Sequence, residues 1–89
     1  MEKKNGIGKE YINERLIFEG EYVNGEKKGK WKEYYDNERI KYEGEYHYGE
    51  RNGKGKEYYK NGELKFEGEY KNGKMYEGSL YDNKLKKIY

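Results

Sequence analysis

A five-residue block returns at a constant spacing along this chain. Phe18-Glu19-Gly20-Glu21-Tyr22 recurs as Tyr42-Glu43-Gly44-Glu45-Tyr46 and again as Phe66-Glu67-Gly68-Glu69-Tyr70, each 24 residues on. A second block keeps the same offset: Gly29-Lys30-Trp31-Lys32-Glu33-Tyr34-Tyr35 becomes Gly53-Lys54-Gly55-Lys56-Glu57-Tyr58-Tyr59. A fixed period of this length means that one supersecondary unit repeats, and that each unit buries its apolar side only by stacking on its neighbours. With only 31% of residues hydrophobic and thirteen of those tyrosines, a conventional closed core is not expected.

Within a unit, apolar and polar residues alternate with period two, the signature of a half-buried strand and not of a helix. Leu16, Phe18, Gly20 and Tyr22 share one face, as do Ile40, Tyr42, Gly44, Tyr46 and Leu64, Phe66, Gly68, Tyr70. Asn61-Gly62 reads as a two-residue type I′ hairpin turn, because both residues tolerate positive φ. Asn37-Glu38 and Asn13-Glu14 occupy equivalent places, and Asn24–Gly29 reads as a longer loop with a counterpart ending at Gly53. These turns predict a register. Lys60 pairs with Glu63, Tyr59 with Leu64, Gly55 with Gly68, Tyr35 with Ile40 and Trp31 with Gly44. A four-residue loop after Asn24 sets Tyr22 opposite Trp31 and Phe18 opposite Tyr35. A large ring over a strand glycine is the arrangement that rescues a glycine in a sheet.

The opposite face sorts by charge. Lys32 is expected between Glu21 and Glu43, Lys30 beside Glu45, Lys56 between Glu45 and Glu67, and Lys54 beside Glu69, each pair contributing about 0.2–1 kcal/mol. The last unit is atypical: a two-residue turn at Asn72-Gly73 puts Glu77 in the place of Trp31 and Ser79 in the place of Glu33. The expected fold is all-β, a single elongated twisted antiparallel sheet of stacked hairpins. Up to eight strands fall near 7–12, 15–23, 30–35, 40–47, 54–59, 64–71, 74–81 and 85–89. They form one domain over 1–89, in units of about 6–29, 30–53, 54–73 and 74–89.

Composition supports this and removes other function classes. Charged residues make up 43% of the chain, yet 20 Lys+Arg against 18 Asp+Glu leave a net charge of only +2. That balance gives no strong signal for nucleic acid or an anionic membrane. Thirteen tyrosines bury too much area for a disordered segment. With no Cys there is no disulfide framework and no thiolate zinc site, which suits a reducing cytoplasm. No apolar run follows Met1, so neither a signal peptide nor a membrane span is expected.

The block Tyr42-Glu43-Gly44-Glu45-Tyr46, a loop bounded by Gly49 and Gly53, then Gly55 and Tyr59, resembles the MORN repeat (membrane occupation and recognition nexus). Gly29-Lys30-Trp31-Lys32-Glu33-Tyr34-Tyr35-Asp36-Asn37, followed by Arg39-Ile40-Lys41, is similar to the MORN-variant repeats of bacterial antitoxin-like proteins. The resemblance covers roughly residues 6–85. It departs where Trp31 replaces a loop glycine and in its slightly long period. The resemblance implies a non-catalytic sheet of stacked hairpins that binds other molecules on a groove-like aromatic face, with roles in scaffolding, homodimerisation and phosphoinositide or membrane binding.

Candidate sites follow from what remains. His47 and Ser79 are the only possible Ser–His pair, and a triad needs an orienting acid and oxyanion donors as well. Glu43/Glu45 and Glu67/Glu69 imitate a glycosidase pair, but every repeat has them and lysines answer them. One His does not make a transition-metal site. No cofactor is implied. Lys27, Lys28, Lys30, Arg51 and Lys54 could meet phosphates from loop tips, although the neighbouring glutamates would repel a nucleic-acid backbone. The aromatic row of Tyr11, Phe18, Tyr22, Trp31, Tyr35, Tyr42, Tyr46, Tyr59, Phe66 and Tyr70 is the strongest candidate. An exposed aromatic strip rimmed by charge has the composition of a protein-binding surface, with homodimerisation its rival.

The resulting expectation is a cytoplasmic, non-enzymatic, protein-binding module: a small inhibitor, antitoxin-like protein or adaptor. Contact area falls to Trp31, Tyr35, Tyr59, Tyr22 and Tyr46, and orientation to Arg51 or Lys54. The alternatives are a peripheral module reading anionic phospholipid and a phage-encoded inhibitor of a host defence enzyme. Abundant Lys, Asn, Tyr, Ile and Glu suggests an AT-rich bacterial or phage genome.

Overall fold

The computed structural model describes residues 5–82 and 88. Seven strands follow one another as β1 (Gly6–Ile12), β2 (Arg15–Val23), β3 (Glu26–Tyr34), β4 (Ile40–His47), β5 (Glu50–Tyr58), β6 (Leu64–Lys71) and β7 (Lys74–Leu80). They lie side by side in chain order as one open antiparallel sheet. Its extents are 48 × 28 × 14 Å, so the molecule is an elongated single layer. The all-β meander read from the period is the fold found. The eighth strand, expected over 85–89, lies outside the described residues except for Ile88, whose N–H donates to the Leu80 carbonyl at 2.8 Å.

Turn chemistry differs from the expectation in an instructive way. The Asn61-Gly62 loop is not a type I′ turn. Gly62 alone is left-handed (φ 94°), Gly62 N–H bonds the Tyr59 carbonyl, and Tyr59 N–H bonds Glu63. The loop therefore spans Lys60–Gly62, because the Asn61 side chain accepts from Glu63 N–H at 2.9 Å and leaves the left-handed position to the glycine. Asn37 does the same with Arg39, and Glu38 takes the positive φ. Both loops displace the pairing by one residue, giving Tyr34↔Ile40 and Tyr58↔Leu64, and a bulge in the next step restores it. Trp31↔Gly44, Lys32↔Glu43, Lys30↔Glu45, Gly55↔Gly68 and Lys54↔Glu69 then fall where the sequence placed them.

True two-residue turns with both residues left-handed occur at Asn13-Glu14, Asn24-Gly25, Tyr48-Gly49 and Asn72-Gly73. At Asn24-Gly25 this corrects the four-residue loop: Val23 pairs with Glu26 and Tyr22 with Lys27. The surplus residues go into bulges of three residues against one, centred on Gly29 (φ 81°) and Gly53 (φ 93°), since a glycine takes the left-handed corner of a bulge without strain. Consequently Trp31 lies opposite Gly20 and not Tyr22, Phe18 opposite Glu33 and not Tyr35, Lys32 opposite Glu19, and Lys56 opposite Glu43. In the last hairpin Gly78 takes the place of Trp31 and Leu80 that of Glu33, one residue beyond the expected Glu77 and Ser79.

The core lies on one face and is made almost wholly of rings. Tyr22, Trp31, Tyr42, Tyr46, Phe66 and Tyr70 are buried, with Phe18 and Leu80 packed against them. They run as a relay of tilted and edge-to-face contacts: Tyr22–Trp31 at 5.0 Å, Trp31–Tyr46 and Tyr46–Tyr42 at 5.9 Å, Tyr42–Tyr70 at 5.1 Å and Tyr70–Phe66 at 5.3 Å. Such pairs add about 0.5–1.5 kcal/mol each beyond area burial. Glycines make the layer possible. Trp31 lies over Gly20, and a Cβ on Gly8 would come within 2.6 Å of the Tyr22 ring.

Candidate binding faces of the sheet

Each face of the sheet offers a different chemistry, and the aromatic face is not purely aromatic. Glu33 and Glu57 are buried among the rings because they stand two residues beyond Trp31 and Gly55 on the same side of their strands. Arg51 answers both. Its Nε and Nη2 grip Glu33 at 2.8 and 2.9 Å, and its Nη1 donates to Glu57 at 2.9 Å. Tyr46 donates its hydroxyl to Glu33, and Tyr70 donates to Glu57 at 2.8 Å. Lys65 reaches Glu57 at 3.2 Å. One repeat earlier, Lys27 holds Glu10 at 3.0 Å. In the last hairpin the row ends in apolar residues, with Met75 in the cation's slot and Leu80 in the acid's.

The cations also roof the rings. Arg51 lies 4.3 Å from the Tyr42 centroid, and Lys27 lies 4.5 Å from Phe18 and 5.3 Å from Trp31. Burial works against the Arg51 charge, but its hydrogen bonds to Glu33 and the two carboxylates keep its pKa above the ordinary guanidinium value. Burial likewise opposes ionised Glu57. The Tyr70 hydroxyl, Arg51 and Lys65 overcome it and hold the carboxyl below its usual range. Tyr46 and Tyr70 are pushed up, first by burial and then by donating to carboxylates.

On the other face the Lys/Glu ladder lines a groove of about 1020 Å³. Lys30, Lys32, Lys54 and Lys56 alternate across strands with Glu19, Glu43, Glu45, Glu67 and Glu69, and Gly20, Gly44, Gly55 and Gly68 form the floor between them. Tyr34 reaches across to Glu19 at 2.9 Å, and burial together with that bond pushes its hydroxyl up to about 12.

The seven residues expected to contact a partner separate on these faces. Trp31 is 1% exposed, and Tyr22 and Tyr46 are buried beside it, so all three rings are spent on the core. Trp31 is further tied by its Nε1–H to the Glu21 carbonyl at 2.7 Å. Arg51 is held by Glu33 and Glu57. Tyr35 and Tyr59 are half-buried and stitch hairpins together, donating to the Tyr58 and Tyr81 carbonyls at 2.7 and 2.6 Å. Lys54 is exposed on the wall of the groove, away from the rings.

The buried acids were missed in the sequence. The signal was present: Glu33 and Glu57 follow the aromatic phase, and Lys27 and Arg51 share their 24-residue offset. It is masked wherever Lys27 and Arg51 are read as loop residues, because only their place in β3 and β5 brings them onto the ring face. His47 and Ser79 sit on β4 and β7, three strand spacings (about 14 Å) apart across the sheet and four residues apart along it, since Ser79 is in line with Glu43. His47 instead meets the Tyr48 ring edge-on, with centroids 4.1 Å apart. Among the described residues no group of three His, Cys, Asp or Glu is placed to hold a metal ion.

Compared with known proteins, the chain matches the MORN repeat in three segments, residues 18–37, 42–63 and 66–75, which together make up more than half its length. No curated protein matches it in a sequence search.

Proposed function

Because the chain belongs to the MORN repeat family, whose repeats are in general protein- or membrane-binding modules, we propose that it works by binding another protein along the charged groove. The observation that carries this reading is the groove's balance of sign. Four lysines and five glutamates alternate along it, a pattern suited to a polypeptide bearing both charges and repulsive to a polyanion. Lys54 makes direct contact in this reading. Tyr35 and Tyr59, which do not line the groove, act by tying neighbouring hairpins together. Trp31, Tyr22, Tyr46 and Arg51 act by holding the strands that carry the ladder. The anionic-lipid alternative loses support because Lys27 and Arg51, two of its five cations, are paired with carboxylates.

In its sharper form the reading is a small inhibitor, antitoxin-like protein or adaptor, with a phage-encoded inhibitor of a host defence enzyme as one variant. A single layer 14 Å thick would act by covering a partner's surface. Affinity capture with mass spectrometry, comparing wild type with Lys54→Glu/Lys56→Glu, tests it. Partners held through the groove are lost from the variant, and its circular dichroism and hydrogen exchange check that the fold survives placing these glutamates opposite Glu43, Glu67 and Glu69. A partner retained undiminished by the variant sinks the groove. Salt-sensitive co-sedimentation with anionic vesicles and no protein partner would favour the lipid alternative.

A further inference from the structure

The charge ladder is complete at its inner lysines and half-built at its first. Lys32 stands between Glu19 and Glu43, and Lys56 between Glu43 and Glu67. Lys9 has Glu19 on one side, 3.7 Å away, and the outer edge of the sheet on the other. Among the described residues no strand pairs with that edge of β1, so its outward backbone donors and acceptors are open to another chain. Beside Lys9, Ile7 takes the slot that Lys30 and Lys54 hold in later repeats, and it is 78% exposed. The sheet's other end differs, since Ile88 N–H already bonds Leu80 of β7.

The internal pairings describe what such an edge accepts. Where an even-numbered strand meets the equivalent edge of β3 or β5, an aromatic residue lies opposite the buried Glu, as in Phe18↔Glu33 and Tyr42↔Glu57. A glutamate lies opposite the ladder Lys, and a glycine opposite the next aromatic-face position, as in Glu19↔Lys32 and Gly20↔Trp31. On β1 those three positions are Glu10, Lys9 and Gly8. We propose that the free edge of β1 docks an extended segment of another polypeptide. The segment adds antiparallel as a further strand and sets an aromatic, an acidic and a small residue in succession against Glu10, Lys9 and Gly8.

A second copy of this chain fits the edge poorly. Its strands of the matching type, β2, β4 and β6, are paired on both sides. Full antiparallel overlap of two β1 strands would set Lys9 directly opposite Lys9, and like charges in that position are destabilising.

The site is an edge and the groove is a face, so the two stand or fall separately. The probe is a synthetic peptide with the sequence of residues 38–48, which carries Tyr42-Glu43-Gly44, titrated into isotopically labelled full-length chain. Amide shifts and new hydrogen-exchange protection are expected over Gly6–Ile12. A peptide with Glu43→Lys should bind about tenfold more weakly, and the Lys9→Glu protein should recover binding to it. The Lys9→Glu exchange sets two carboxylates opposite one another at Glu19, so hydrogen exchange first confirms that β1 stays paired with β2 in the variant. The Glu43→Lys peptide against wild-type protein tests the charge contact without it. The proposal is overturned if millimolar peptide leaves β1 unperturbed, if the shifts centre on Lys54 and Lys56, or if the charge exchange gives no recovery. Dimerisation of the chain through β1 would overturn it too, in favour of self-association.

Discussion

At the tip of the β4–β5 hairpin, Tyr48 holds φ at 53°, in a place where the neighbouring tips have Asn24 and Asn72. Asparagine visits the left-handed region at little cost, whereas a bulky residue there is strained by about 1–3 kcal/mol. The Tyr48 ring is 76% exposed and regains only its contact with His47. Tyr48→Asn is therefore expected to raise stability by about 1 kcal/mol, read as a higher midpoint in urea denaturation. Titrating side chains set a second expectation. Glu57 titrates below its ordinary value, so its contribution is in place above the usual carboxylate range and is lost as pH falls through the lowered value. Tyr34, Tyr46 and Tyr70 titrate above theirs. Their contribution is in place below about pH 10 and is lost as pH rises through the folded values, the first of which is about 12. Melting temperature against pH should show a plateau falling away on both flanks. Tyrosinate absorbance should appear at higher pH in the folded chain than in urea.

Between elements, the cation–carboxylate row gives the sheet a second system of cross-strand ties beside the ladder. Arg51 links Glu33 on β3 to Glu57 on its own strand, over the rings of Tyr42 on β4 and Tyr70 on β6. Removing one partner of a buried ionic cluster is costly, while replacing the whole cluster by apolar residues is often neutral. The last hairpin already shows the apolar version, Met75 with Leu80. Arg51→Met alone should destabilise by about 3 kcal/mol, because it strands the Glu33 carboxylate among aromatic rings. Adding Glu33→Leu and Glu57→Leu should return most of that loss in the same denaturation experiment. If the triple variant is no more stable than the single one, the row has a role beyond neutralising charge.

As a whole the molecule is a line of hairpins, its principal contacts running between strands adjacent in sequence. Stability then approximates a sum over neighbouring pairs, and the ends, with one neighbour each, open first. The side chains agree. Trp31 and Tyr42 in the middle are 1% and 0% exposed, while Ile7, Tyr11, Ile12, Met75 and Tyr76 on the end strands lie open. Native-state hydrogen exchange should show strongest protection in β3, β4 and β5, falling towards β1 and β7. Uniform protection would mean that the sheet opens as one cooperative unit.

The 24-residue period, the alternation within it and the phase of lysine against glutamate determined the meander, its ring-bearing face and most of the central register. Such properties depend on nearest neighbours along the chain and across one turn, so a linear pattern carries them. Tertiary structure decided the rest. Tight turns at Asn24-Gly25 and Tyr48-Gly49, with the excess taken up at Gly29 and Gly53, drew Lys27 and Arg51 out of the expected loops and into the sheet. There they meet Glu10 and Glu33 from other strands, and Arg51 also reaches Glu57 along β5 past the bulge. A residue's burial depends on what approaches it from another strand, 18 residues away for Arg51 and Glu33, and no reading of one strand at a time contains that contact.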